Sequence, residues 1–383
     1  MMQTESRGTL LDDSHFDSVV HHLVGYHSDE GVLSVYLDID PATASREGYE
    51  AALLDLWKPL YAMPFDQWTR GRLEYEIAGV TDEVRGWGEA PGRSVAMFFS
   101  GPGGLRTVLP LEFPMRSVAR FAPRPVLSPL IAALDEHTRY CVVMFDKDHA
   151  RIITIVLATV EEEVTLHGDV IGRSAAGGWG QANYARHREY HLHEHARRTV
   201  EHLWAIDRSR PIHSLILAGP DEALAVLRRM LPTVLMRSVI GTIPVEMFAV
   251  TADVVKRVES LEMEAREKKD RALIAELESD AEKGGHASFG WDDTLRSVSE
   301  GRVHMLVLPE GVTRPGVQCP EGHYLATSAA KFCPLCGEAL WQTDDIAEAA
   351  VRTAMVTDAQ VHFLTPAAGE ALAGRGIAAL LRY

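Results

Sequence analysis

Short apolar runs of β type alternate with long helical patterns along this chain, and that alternation leaves few architectures open. Strands followed by alternating helices and strands bury their apolar faces as an α/β layer. With 383 residues the chain is too long for one ordinary core, so two or three domains are expected. The first, 1–135, opens with a β-rich run at 32–37. Helical patterns follow at about 45–63 and 66–87, then runs at 94–99 and 105–109. Gly101, Pro102, Gly103 and Gly104 between these runs read as a hairpin turn. A phosphate loop would need a following Lys-Ser/Thr and a helix, and has neither. The second segment, 136–250, carries runs at 140–146, 150–157 and 162–166. A glycine-rich loop (171–180), a polar helix (about 182–207), a strand (215–219) and a helix (222–230) come next. The third, 251–383, begins with a charged helix over 251–282, whose alternating signs read as a solvated face. A helix (291–299), a strand (303–308), a cysteine-bearing insertion (317–341), a helix (344–355), a strand (361–364) and a terminal run (377–383) complete it. The expected fold class is multi-domain α/β, or α+β.

Lys and Arg number 38 against 54 Asp and Glu, a net charge of -16. That balance excludes a general nucleic-acid coat and confines any RNA contact to a local basic patch. No apolar run approaches the roughly 18 residues of a membrane span. The first twenty residues hold Glu5, Asp12, Asp13 and Asp17 against one Arg, unlike a signal peptide. A cytoplasmic protein with no membrane partner is expected.

Of the four cysteines, Cys141 stands alone in an apolar run, and three are bunched near the end. Cys319 and His323 are followed by Cys333-Pro334-Leu335-Cys336-Gly337, in which two thiols lie two residues apart in a turn shaped by Pro and Gly. Zinc takes four tetrahedral N/S ligands, and Cys319, His323, Cys333 and Cys336 offer Cys₃His. A closed site of this kind is structural. It would fold a small appended ribbon that has little core of its own. The plainer alternative is surface thiols with His323 merely nearby.

A second concentration lies in the middle segment. Between Arg173 and Arg198 there are five Arg and four His against two acidic residues. On so acidic a chain this is a basic face suited to phosphate, and the ordinary alternative is a solvated helix. The glycines before it permit positive φ and close backbone approach. Gln181 cannot act as a general base, but a Gln amide can position a water while backbone N–H groups stabilise an oxyanion. That suits hydrolysis of an already labile ester. No Gly-x-Ser-x-Gly elbow is present.

Together these features resemble the archaeo-eukaryotic class-one peptide chain release factors, their bacterial branch, and the related peptidyl-tRNA hydrolases of ribosome quality control. The order agrees over nearly the whole chain: the strand domain with Tyr36 and Leu37, the loop and helix at 172–207, then the Cys319 to Cys336 insertion. The resemblance implies an N-terminal α/β domain, an RNase-H-like middle domain, and an L7Ae-like C-terminal domain with a zinc-ribbon insertion. It implies a catalytic loop in which Gln181 positions water and Gly177, Gly178 and Gly180 shape the backbone. Arg173, Trp179, Arg186, His187, Arg188, Arg197 and Arg198 would contact RNA. The implied partners are the ribosome through its large-subunit rRNA, peptidyl-tRNA, and, as a candidate, a translational GTPase. Two departures stand out. The release factors have Gly-Gly-Gln uninterrupted, whereas here two residues, Trp179 and Gly180, separate Gly178 from Gln181, or equally Trp179 stands in place of the first Gly; the quality-control hydrolases resemble this looser spacing. The first segment lacks Asn-Ile-Lys-Ser, which argues against stop-codon decoding. The alternatives are a non-catalytic hibernation factor occupying the tRNA site and a nuclease for the tRNA acceptor end.

Overall fold

A strand that is apolar on both faces needs a covering layer on each side, and β1 (Val32–Asp38) is buried at every position through Leu37. The structure is a computed structural model and describes residues 13–40, 46–101, 104–136, 139–156, 159–168, 180–328, 330–372 and 374–383. The chain divides into two compact units, Met1–Asp135 with Leu273–Tyr383, and Glu136–Ala272.

In the first unit α1 (Asp13–Gly25) precedes β1. Then come α2 (Arg46–Tyr61), α3 (Gln67–Gly86), β2 (Ser94–Ser100), β3 (Leu105–Leu111), β4 (Val118–Ala122) and α4 (Ser128–Glu136). The antiparallel sheet has the order β3-β2-β1-β4. Leu33, Val35 and Leu37 pack with Leu53 and Trp57 of α2 and with Leu73 and Ile77 of α3. Tyr36, on the alternate face, meets Phe98 edge-on at 5.9 Å and donates its hydroxyl to the Val126 carbonyl at 2.7 Å. Asp66 starts α3 by accepting from the Thr69 N–H at 2.7 Å, a side-chain cap that replaces a missing helical acceptor. β2 and β3 form the expected hairpin, closed by Gly104 N–H to the Gly101 carbonyl at 3.2 Å.

The second unit contains β5 (Tyr140–Phe145), β6 (His149–Val156), β7 (Thr159–His167), α5 (Gly180–Ser209), β8 (Ser214–Ala218), α6 (Asp221–Met230), α7 (Thr233–Ser238) and β9 (Val239–Ile243). It also takes in α8 (Thr251–Glu282) as far as Ala272. Its sheet order is β7-β6-β5-β8-β9, with β5 to β7 antiparallel and β8 and β9 parallel to β5. Period-two alternation splits β5 between two layers. Cys141, Val143 and Phe145 pack with α5 and α6, while Tyr140, Val142 and Met144 pack with Val254 and Val258 of α8. Burial pushes the Cys141 thiol up to about 12, so this lone cysteine is a packing residue rather than a nucleophile.

The first unit resumes with β10 (Ala287–Phe289), α9 (Trp291–Ser299), β11 (Val303–Pro309), β12 (Gly316–Gln318), β13 (Leu325–Ala326), β14 (Trp341–Thr343), α10 (Ile346–Val356), β15 (Gln360–Leu364), α11 (Pro366–Leu372) and β16 (Ala378–Leu381). One sheet has the order β10-β16-β11-β15, and a small ribbon has the order β13-β12-β14. α9 and α10 share one core with β11, while α11 and Ile274 and Leu277 of α8 share another.

A buried ion pair on α10 ties the late segment to the early one. The Glu348 carboxylate accepts from the N–H groups of Leu127 at 2.8 Å and Ser128 at 2.9 Å, and from the Ser128 hydroxyl. Arg352, one turn on, lies 3.4 Å from Glu348 and donates to the carbonyls of Val24 at 2.6 Å and of Pro125. Burial holds the Arg352 guanidinium below its ordinary value, against the opposing pull of Glu348. The architecture is thus multi-domain α/β, as expected. Among the described residues no helix is long and apolar enough to cross a membrane.

Candidate functional site

The insertion folds as two opposed turns on the β12–β14 ribbon. In the first, Cys319 follows β12 directly, and its N–H donates to the Tyr324 carbonyl at 2.8 Å. Gly322 turns the chain at φ 78°, a left-handed backbone that favours glycine and swings His323 back toward Cys319. In the second, the Cys333 N–H donates to the Glu338 carbonyl at 2.8 Å, the Gly337 N–H returns to the Cys333 carbonyl at 2.9 Å, and Gly337 sits at φ 79°. These turns bring one ligand atom each from Cys319, His323, Cys333 and Cys336 within 4.8 Å of one another. Cys319 Sγ lies 3.5 Å from Cys336 Sγ and 4.0 Å from His323 Nδ1. A tetrahedral ion with bonds of about 2.3 Å to sulfur needs ligand atoms roughly 3.8 Å apart, so the set fits one. Cys319 and Cys333 are buried, while His323 and Cys336 are exposed. Burial raises the Cys333 thiol, but the backbone N–H groups of Cys336 and Leu335 together with the Cys336 and Cys319 thiols hold it below the usual thiol range. Four protein ligands leave no open position, which is the signature of a structural centre.

The basic segment forms α5, 30 residues long. Ala196, Val200, Leu203 and Ile206 recur at helical spacing and press on the sheet. Arg197 is on the exposed side, clasped by Glu194 and Glu201, so its charge is offset within its own helix. Arg198 is half-buried. Gly180 and Gln181 open the helix. The side chains of Gln181, Arg186, His187 and Arg188 lie outside the described residues, as do Arg173, Gly177, Gly178 and Trp179 altogether.

His195 gave no local sign of a core position, yet it is 0% exposed and stacks on Phe145 with centroids 5.0 Å apart. Neither ring nitrogen meets a well-aligned partner among the described residues. Its pKa is lowered, chiefly by burial and further by the Arg198 and His149 charges, against the opposing His149 backbone and Asp146. The unfolded chain therefore takes up the proton first as pH falls below the ordinary imidazole value of 6.5. His195 contributes stability in full above that value and loses it as pH drops toward the depressed folded value. Urea unfolding at about pH 7.5 and 5.5 should show a loss on acidification that His195→Phe reduces. An equal loss in both proteins would place the pH dependence elsewhere.

Residues 125–263 match the model of bacterial archaeo-eukaryotic release factor family 10, a stretch that takes in the whole sheet of the second unit together with α5. Over that stretch the chain is similar to the bacterial archaeo-eukaryotic release factors. The chain is 24% identical over 287 residues to peptide chain release factor subunit 1 of Thermococcus sibiricus, covering 67% of this chain and 69% of that one. It is also similar to the crystal structure of an archaeal translation termination factor (15% identity, 97% of this chain and 98% of that one, TM-score 0.28). Pelota of Archaeoglobus fulgidus is a further solved structure like it (15% identity, 76% and 79% covered, TM-score 0.36).

Proposed function

We propose that the protein is a ribosome-associated peptidyl-tRNA hydrolase of the rescue type. One coincidence carries the reading: the stretch matching the release-factor family model also contains the Gly177 to Gln181 run and the helix that follows it. In this mechanism the Gln181 amide orients a water toward the ester carbonyl that joins peptide to tRNA. Backbone N–H groups of the glycine run stabilise the oxyanion, and collapse leaves a peptide carboxylate and an intact tRNA 3′ hydroxyl. Arg173, Trp179, Arg186, His187, Arg188 and Arg198 bind the tRNA end or large-subunit rRNA, and Arg197 joins them where RNA displaces its glutamates. The organisation that goes with this function is an N-terminal domain to residue 135, an RNase-H-like domain over 136–250 and an L7Ae-like domain over 251–383, acting in the cytoplasm with a translational GTPase as helper. The test is incubation with ribosomes carrying peptidyl-tRNA, followed by analysis of both products. Free peptide with full-length tRNA supports hydrolysis, and a shortened tRNA would make the protein a nuclease. The interruption of the motif by Trp179 and Gly180 favours one further reading, a hibernation factor that occupies the tRNA site without chemistry. Binding with no product would establish it.

The metal of the Cys₃His centre is zinc in this proposal, one per chain, bracing the ribbon as a structural ion. Elemental analysis of protein purified without chelator should return about one zinc per chain, and Cys333→Ser should lose it. Zinc content near zero in the unaltered protein would refute the assignment. Retention of zinc by His323→Ala would remove His323 from the ligand set.

A further inference from the structure

A cavity of about 60 Å³ within the first unit is lined by residues from both ends of the chain, among them Arg124, Gln318, Trp341, Thr343, Asp345 and Arg352. Its size admits several waters or one sulfate-sized ion and is far below that of a nucleoside site. The groups around it divide sharply by whether they are already engaged. Glu348 accepts from Leu127, Ser128 and Arg352. Asp345 caps α10, accepting from the N–H groups of Ala347 at 3.0 Å and Glu348 at 3.3 Å. Thr343 Oγ1 donates to the Asp345 carbonyl at 3.2 Å, and Arg352 is spent on backbone carbonyls and Glu348. Among the described residues, the Arg124 guanidinium has no hydrogen-bond or ion-pair partner, and the Gln318 side-chain amide has none either. Arg124 is half-buried, and it is felt as a repelling charge by both Arg352 and His27. Three guanidiniums, Arg120, Arg124 and Arg352, stand around two carboxylates, Glu348 with both oxygens engaged and Asp345 with Oδ1 engaged as the helix cap. Three cations against two carboxylates leave one positive charge over, carried by the unengaged donors of Arg124, and a partly desolvated site favours an anion that neutralises it.

We propose that this cavity is an oxyanion site, in which Arg124 and Gln318 bind a tetrahedral phosphate- or sulfate-type anion. The His27–Trp341 stack (centroids 5.1 Å apart, 17° between planes) stands beside it, and Trp341 forms part of its wall. Gln318 immediately precedes Cys319, so the knuckle fixes the strand that presents one donor, while Arg124 follows β4. A bound anion joins the two. Two sources share this chemistry: the free inorganic ion and a phosphodiester of an RNA backbone.

The test is isothermal titration of the full chain, metal included, with inorganic phosphate at fixed ionic strength. One saturable site per chain is expected. Arg124→Gln should weaken it about tenfold to a hundredfold, as loss of a charge-assisted hydrogen bond does. Arg237→Gln, which removes an equal charge from an exposed position in the other unit, should leave it unchanged. Competition by a short oligoribonucleotide without terminal phosphates assigns the site to RNA backbone, and lack of competition assigns it to the free anion. Absence of saturable binding overturns the proposal, as does undiminished binding by Arg124→Gln. Should that variant fold poorly, Gln318→Leu serves instead, and unchanged phosphate affinity there overturns it equally.

Discussion

Gln181→Ala is expected to slow peptide release from ribosome-bound peptidyl-tRNA by about 10²–10³-fold, with ribosome binding unchanged, because one preorganised polar group is typically worth that much to an acyl-transfer step. The separation of the two effects follows from where the energy resides. Binding is spread over many phosphate contacts, and a single neutral amide adds little to it. The hydrolytic step depends on one water held near the carbonyl. Gly178→Val should hurt similarly, by obstructing close approach or a left-handed backbone. Single-turnover release assays with co-sedimentation in parallel measure both quantities. Equal release rates for Gln181→Ala and the unaltered protein would show that the chemistry lies elsewhere in the chain.

Arg352→Met is expected to destabilise the first unit by about 3–5 kcal/mol, the usual cost of breaking a buried ion pair from one side. The substitution strands the Glu348 charge and leaves the carbonyls of Leu23, Val24 and Pro125 without their donor. Adding Glu348→Gln should recover part of the loss, since the stranded charge then disappears while an amide oxygen still accepts from the Leu127–Ser128 segment. Urea unfolding of the single and double variants reads this directly. A loss below about 1 kcal/mol for Arg352→Met would mean that apolar packing alone joins the early and late segments.

The alternation of β runs and helical patterns made most of the architecture legible. The charged helix runs over Thr251–Glu282 and the later helix over Trp291–Ser299, as their patterns predict. The elements missed have local reasons. β4 (Val118–Ala122) lies between prolines, carries Arg120 among only five residues, and alternates too weakly to stand out from a loop. β9 is an edge strand broken by Gly241, and α11 opens on Pro366 with small residues. The Cys₃His set was readable because its turns are local, with glycines at the two left-handed positions. His195 was not, because it sits among basic residues that solvate the rest of α5, and only the docking of that helix on Phe145 makes it a core residue. Glu348 and Arg352 have an ordinary i,i+4 spacing; their burial comes from partners more than 200 residues earlier.

That sequence distance has a consequence for synthesis. The Leu127 N–H waits for a carboxylate 221 positions downstream. At roughly 5–20 residues per second, a nascent chain spends about 10–45 s between making the donor and making its acceptor. Throughout that interval the first sheet exists without the carboxylate that accepts from the segment leaving β4. Codon usage or pausing between Asp135 and α10 therefore acts on an open intermediate, and a chain truncated before Glu348 exposes an unsealed edge that keeps Arg120 and Arg124 but lacks the carboxylate, to whatever chaperone is near.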